Sequence, residues 1–217
     1  MDKYIKSHKN MIVLEHEKVE VVREILRKLE PKPKVVVELG GYMGVSAITW
    51  GALLKEFHSE SGLEGCHVYT CEYNAKWAEI IRSHVEFAGL SDLVEVVEGP
   101  SSDSLKRLKE EGVVDTVDML FLDHWKNFYL PDTKLCEELR LFRKGTIILA
   151  DNTDFPGAPD YMDYIRSGGS GNFKYETKTY VAPELKESVS AIRVSKLSKA
   201  FTYNFQAAVE ATLVVAA

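Results

Sequence analysis

With 217 residues the chain has a length that α/β folds commonly fill as one domain with a full hydrophobic core. Its net charge of -6, with no basic stripe interleaved with aromatics, excludes a nucleic-acid scaffold. No apolar run approaches the roughly 20 residues that a membrane helix needs, so neither a membrane nor a nucleic-acid partner is expected.

The opening Met-Asp-Lys-Tyr-Ile-Lys lacks the apolar centre of a secretory signal, so none is expected. Cys66, Cys71 and Cys136 are too few and too unevenly spaced for a disulfide frame or a zinc site. Reduced thiols in a cytoplasmic protein follow as the expectation.

Residues 15–29 place Val19, Val22, Ile25, Leu26 and Leu29 on one helical stripe, which Pro31 and Pro33 stop. Residues 35–39 form a β-branched strand, followed by the loop Gly40-Gly-Tyr-Met-Gly44 and a helix to about residue 55. A second strand covers 67–72, and Asn74 caps a helix with apolar positions at Trp77, Ile80, Ile81 and Val85. Trp50 and Trp77 both read as core residues.

The alternation continues with strand 94–98, helix 101–111, strand 117–122, a helix near 131–140, strand 146–150 and helix 159–166. Residues 173–181 and 188–194 then read as two strands with no helix between them. Such a pattern predicts a doubly wound, mostly parallel sheet closed by a C-terminal antiparallel hairpin. A single domain over residues 1–217 is expected, with a helical segment at 1–33, a core at 34–195 and a tail at 196–217.

Three stretches carry the chemistry. The apolar run Met119-Leu-Phe-Leu ends in Asp123-His-Trp-Lys126, and Thr146-Ile-Ile-Leu-Ala ends in Asp151-Asn152. Ligands in open α/β sheets sit beyond the carboxyl ends of strands. If the two strands are neighbours, Asp123, Asp151 and Asn152 form a hard oxygen set suited to Mg²⁺, with Lys126 beside it. The third stretch, Glu38-Leu-Gly40-Gly-Tyr42-Met-Gly44-Val-Ser46, does not have the spacing of a dinucleotide loop. A carboxylate at Glu38 would repel phosphates but suits a cationic ligand, and Glu72 is placed to hold a ribose diol. Together these features point to S-adenosylmethionine.

These residues resemble catechol O-methyltransferase. The resemblance is carried by Phe121-Leu-Asp-His-Trp-Lys126, Tyr129-Leu-Pro-Asp-Thr133, Arg143-Lys-Gly-Thr146, Leu149-Ala-Asp-Asn152, the glycine loop and Phe87-Ala-Gly-Leu90, and it spans residues 35–166. It implies a seven-stranded methyltransferase fold, S-adenosylmethionine, Mg²⁺ and a catechol acceptor.

By position it implies Asp123, Asp151 and Asn152 as metal ligands, Lys126 as catalytic base and Glu72 as the ribose acid. Glu38, Gly40, Tyr42 and Ser46 would surround the methionine portion, with Asp123 nearby. Ser101, His124 and Trp125 would line the adenine pocket, while Lys126, Asn152 and Pro156 would face substrate.

The family places a substrate-binding glutamate just after a late tyrosine. Here Tyr180 is followed by Val181-Ala-Pro-Glu184, which makes Glu184 the candidate. The family's N-terminal tryptophan gate has no match in residues 9–18, and several residues are inserted after the first core helix. Acceptors to weigh are a catechol or a larger phenolic such as a caffeoyl ester or flavonoid. Two rival functions stand beside methyl transfer: a dinucleotide-dependent oxidoreductase, which Glu38 and the glycine spacing disfavour, and a non-catalytic S-adenosylmethionine-binding protein. A monomer is favoured.

Overall fold

A computed structural model describes residues 16–169, 173–181 and 208–216. Its strands are β1 (Val35–Leu39), β2 (His67–Glu72), β3 (Val94–Glu98), β4 (Met119–Leu122), β5 (Ile147–Ala150), β6 (Phe173–Val181) and β7 (Ala208–Ala216). The helices, in chain order, are α1 (His16–Arg27), α2 (Val45–Phe57), α3 (Ala75–Phe87), α4 (Ser101–Glu110), α5 (Tyr129–Glu138) and α6 (Pro159–Arg166).

Strands lie in the order β3-β2-β1-β4-β5-β7-β6, the first five parallel and β7 antiparallel to both of its neighbours, β5 and β6. The strand order reverses between β1 and β4, the place where doubly wound sheets open a crevice for ligands.

Both faces of the central strands are buried, which is why they read as unbroken apolar runs without alternation. Along β4, Met119 and Phe121 face one cluster with Trp50, Leu53 and Leu54 of α2. Leu120 and Leu122 face the other, with Leu105 of α4, Tyr129 of α5 and Tyr161 of α6. Asn74 caps α3 as its sequence predicts, its side chain accepting from the Lys76 and Trp77 backbone N–H groups. All three cysteines are buried free thiols. No helix among the described residues is long and apolar enough to cross a membrane.

Among the described residues β6 pairs with β7, with Phe173 opposite Ala216 and Val181 opposite Ala208. The expected strand at 188–194 lies outside the described residues. Segment 208–216, within the stretch expected as a tail, lies between β5 and β6 in the sheet. An apolar, β-branched closing segment gains more from pairing on both edges than from exposure.

Candidate active site

Strands β4 and β5 are direct neighbours, with Leu122 opposite Ala150. One residue further, the Asp123 N–H donates to Leu39 O and the Asp151 N–H to Leu122 O, each at 2.9 Å. The two carboxylates therefore leave from adjacent strand tips with no strand between them.

Asn152 has left-handed backbone angles (φ 57°), and its N–H donates to Asp151 Oδ1 at 3.0 Å. It opens a single π-helical turn, Thr153–Gly157, in which Pro156 is exposed. Lys126 starts a short 3₁₀ turn, and its Nζ donates to Asp123 Oδ1 at 3.4 Å and to Tyr129 Oη at 2.6 Å. The Tyr129 hydroxyl in turn lies 2.6 Å from Leu122 O and 2.9 Å from Asp151 O, tying the two tips together.

Burial dominates the electrostatics. Loss of solvent pushes the Asp123 carboxyl well above its usual range, and the Asp151 charge pushes it further, against Lys126 and Lys18. Burial likewise raises Asp151, opposed first by Lys18, whose Nζ lies 3.2 Å from Oδ1 and 3.4 Å from Oδ2. Burial also lowers the Lys126 amine, although Asp123 and Asp151 oppose it. The protein interior therefore eases loss of the Lys126 proton even before any metal ion is considered.

On the far side of Asp123 lies the glycine loop. Gly40 sits against the β4 tip at φ +100°, where a Cβ would come within 2.6 Å of Asp123 O. The Glu72 carboxylate accepts from Tyr42 N on one oxygen and from Asn74 N on the other, both at 2.8 Å, which locks the loop to the end of β2. Glu38 is fully buried beneath the loop. It accepts from Trp50 Nε1 at 3.0 Å and Thr70 Oγ1 at 2.5 Å, and it is hydrogen-bonded to Ser46. Burial nevertheless raises its pKa to about 7.

Ser101 and His124 converge on Asp132: Ser101 Oγ donates to Asp132 Oδ2 at 2.5 Å, and His124 Nε2 lies 2.9 Å from the same oxygen. Burial lowers the His124 pKa, favouring the neutral ring. Its Nδ1 is buried without a hydrogen-bond partner. Trp125 is exposed beside it.

The predicted residues Asp123, Lys126, Asp151 and Asn152 thus gather at one crevice, and Gly40 joins them through its contact with Asp123. Tyr42 lies in the adjoining glycine loop, flanked by Glu38 of β1, Ser46 of α2 and Glu72 of β2. Glu184 lies outside the described residues. Trp77 is not a core residue but half-buried, its ring 4.6 Å from that of Tyr42.

Sequence reasoning missed Lys18, Tyr129, Asp132 and Thr70. Lys18 carried a signal, since it sits in phase with Val22, Ile25 and Leu26 on the apolar stripe of α1. Asp132 stood in the family-like stretch 129–133 without a role, and Thr70 carried no signal because its partner Glu38 is 32 positions away.

The donor set suits a divalent cation. Two carboxylates and the Asn152 amide oxygen are hard ligands, and the site already draws an ammonium, Lys18 Nζ, onto Asp151. Among the described residues no three His, Cys, Asp or Glu side chains cluster to hold a metal.

A parallel sheet with a glycine loop after β1 and paired acids beyond β4 and β5 is the arrangement of a methyltransferase domain. Residues 37–153 match the family model described as a methyltransferase domain. The O-methyltransferase TomG from Streptomyces achromogenes, solved with its cofactor SAM, superposes with a TM-score of 0.70. That superposition covers 99% of this chain and 88% of TomG at 18% identity, a likeness of fold.

Among curated proteins, the chain is 48% identical over 145 residues to catechol O-methyltransferase of Sus scrofa, covering 67% of this chain and 73% of that protein. It is 46% identical over 159 residues to the Bos taurus enzyme, covering 73% of this chain and 53% of the relative. The chain belongs to the catechol O-methyltransferase family of class I methyltransferases. It spans about half the length of the bovine and mouse relatives.

Proposed function

We propose that the chain transfers a methyl group from S-adenosylmethionine to one hydroxyl of a catechol, with Mg²⁺ held by Asp123, Asp151 and Asn152. The observation that carries this reading is the pair of carboxylates on adjacent strand tips, Asp151 buried and Asp123 part-buried, with the Lys126 amine at 3.4 Å from Asp123. Relatives named catechol O-methyltransferase support the choice of acceptor.

A free phenol has a pKa near ~10, and bringing it to about 7 needs roughly 4 kcal/mol. Bound here, a divalent ion would favour the phenolate of a vicinal diol, and S-adenosylmethionine would supply the electrophilic methyl group.

The chain's own groups then divide the work. Lys126 Nζ accepts the hydroxyl proton, a role that burial assists by lowering the pKa of the amine. Tyr129 holds Nζ at 2.6 Å while burial keeps its own phenol protonated, so it positions the base without competing for the proton. Glu72, already fixed by two backbone N–H groups, offers its carboxylate to a ribose diol at little reorganisation cost. Neutral His124 with its Nε2–H directed at Asp132 leaves Nδ1 as an acceptor, suited to the exocyclic amine of adenine.

Methyl transfer joins an anion and a cation, so charge is lost in the transition state. Positioning and exclusion of water therefore matter more than oxyanion stabilisation. The test is turnover of 3,4-dihydroxybenzoate and of a matched monophenol, with Mg²⁺ and with EDTA. Methylation of the diol alone, abolished by EDTA, is expected. Turnover indifferent to EDTA, or equal turnover of the monophenol, refutes the reading. Preference for a caffeoyl ester would transfer it to larger phenolics.

A further inference from the structure

Lys18 lies in the first turn of α1, four residues before Val22 and on the same buried face as Ile25 and Leu26. The fold thus carries an ammonium under the helix to Asp151, with Nζ 3.2 and 3.4 Å from its two oxygens. Lys18 is only 3% exposed and Asp151 only 4%, so water does little to screen the pair. A buried ammonium needs a counter-charge. Asp151 supplies that charge, yet it is also a ligand in the proposed cation site. An ammonium and a divalent ion on the same carboxylate would repel each other at contact distance.

We propose that Lys18 is a built-in competitor for the divalent-cation site. Its ammonium neutralises Asp151 when no ion is bound, and ion binding requires Nζ to withdraw from that carboxylate. Metal occupancy is thereby linked to the seating of α1. The inference rests on the metal reading of Asp123, Asp151 and Asn152 given above. Lys126 meets the other carboxylate, its Nζ bonding Asp123 Oδ1 at 3.4 Å and Tyr129 Oη at 2.6 Å, so Lys18 is the amine on Asp151.

The test uses Mn²⁺ as probe on the full chain without cofactor or acceptor, with free Mn²⁺ read by electron paramagnetic resonance. Lys18→Met keeps the length and apolar stem of the side chain and removes the charge. We expect its Mn²⁺ dissociation constant to fall at least about tenfold, or ~1.4 kcal/mol, while Asp151→Asn loses binding. Unchanged or weaker Mn²⁺ binding by Lys18→Met overturns the proposal.

A second measurement needs no variant. Hydrogen exchange across residues 16–27 of the unaltered protein should quicken when Mn²⁺ is added, and exchange that slows or stays the same also overturns it. Failure of both the unaltered protein and Lys18→Met to bind Mn²⁺ brings down the metal reading and this inference together. Binding by the unaltered protein with no effect of Lys18→Met removes only the role of Lys18.

Discussion

Replacing Gly40 with alanine tests whether the glycine loop and the tip of β4 act as one rigid unit. The new Cβ would lie 2.6 Å from Asp123 O, 2.7 Å from the Asp123 carbonyl carbon and 2.8 Å from His124 N. Every one of these atoms is backbone, so no flexible side chain can step aside. Real Cβ contacts essentially never fall below 3.0 Å, so the tip must retreat by at least 0.4 Å, the gap between 2.6 and 3.0.

Overpacking of this kind costs about 1–3 kcal/mol. A side chain at φ +100° adds backbone strain of about 1–3 kcal/mol. Together these predict a loss of roughly 2–6 kcal/mol, and at about 2–4 °C per kcal/mol the melting temperature should drop by roughly 4–24 °C. Because the displaced atoms carry Asp123, a shift approaching ~1 Å should also lower turnover by about 10²-fold.

The control is Gly62→Ala. Gly62 also has positive φ (+82°), but no heavy atom lies within 4 Å of its would-be Cβ. It should lose only about 1–2 kcal/mol through the backbone and keep its turnover. Urea unfolding followed by tryptophan fluorescence, together with the methylation assay, reads both quantities. A Gly40→Ala protein as stable as the control and as active as the unaltered chain refutes the reasoning.

Lys126→Met should lower methyl transfer by about 10²–10⁴-fold. S-adenosylhomocysteine binding, measured by calorimetry, should stay near normal; unchanged turnover would remove Lys126 as the base. Glu38→Gln should flatten the pH dependence of stability. The folded state holds the Glu38 proton up to about 7, against an ordinary value of 4.5. Between those values the folded form therefore binds more protons than the unfolded one, and stability falls as pH rises. The full difference corresponds to roughly 3 kcal/mol. Urea midpoints at pH 5 and pH 7.5 should converge in Glu38→Gln relative to the unaltered protein, and an identical pH slope in both would refute this.

The order of elements from residue 35 to residue 166 was legible in the sequence because each carries its own period and its own stop signals. Strands 35–39, 67–72 and 94–98 and helix 159–166 match their predicted limits. The adjacency of Asp123 and Asp151 was legible only conditionally, resting on β4 and β5 being neighbours, which the sheet bears out. The partner of β6 was not legible. Strand pairing is a long-range choice, and residues 188–194 and 208–216 both present apolar, β-branched runs.

Residue types and local spacing alone determined that acids, an amide and a lysine end two buried strands, and that a glycine loop with an acidic partner precedes them. Only the tertiary structure decided what neutralises those acids. Lys18 reaches Asp151 across 133 positions of sequence, Tyr129 joins the tips of β4 and β5, and Asp132 collects Ser101 and His124. The physical reason is that burying charge is tolerable only where an opposite charge or a donor is brought within contact distance, and that pairing depends on how whole elements pack rather than on any local pattern.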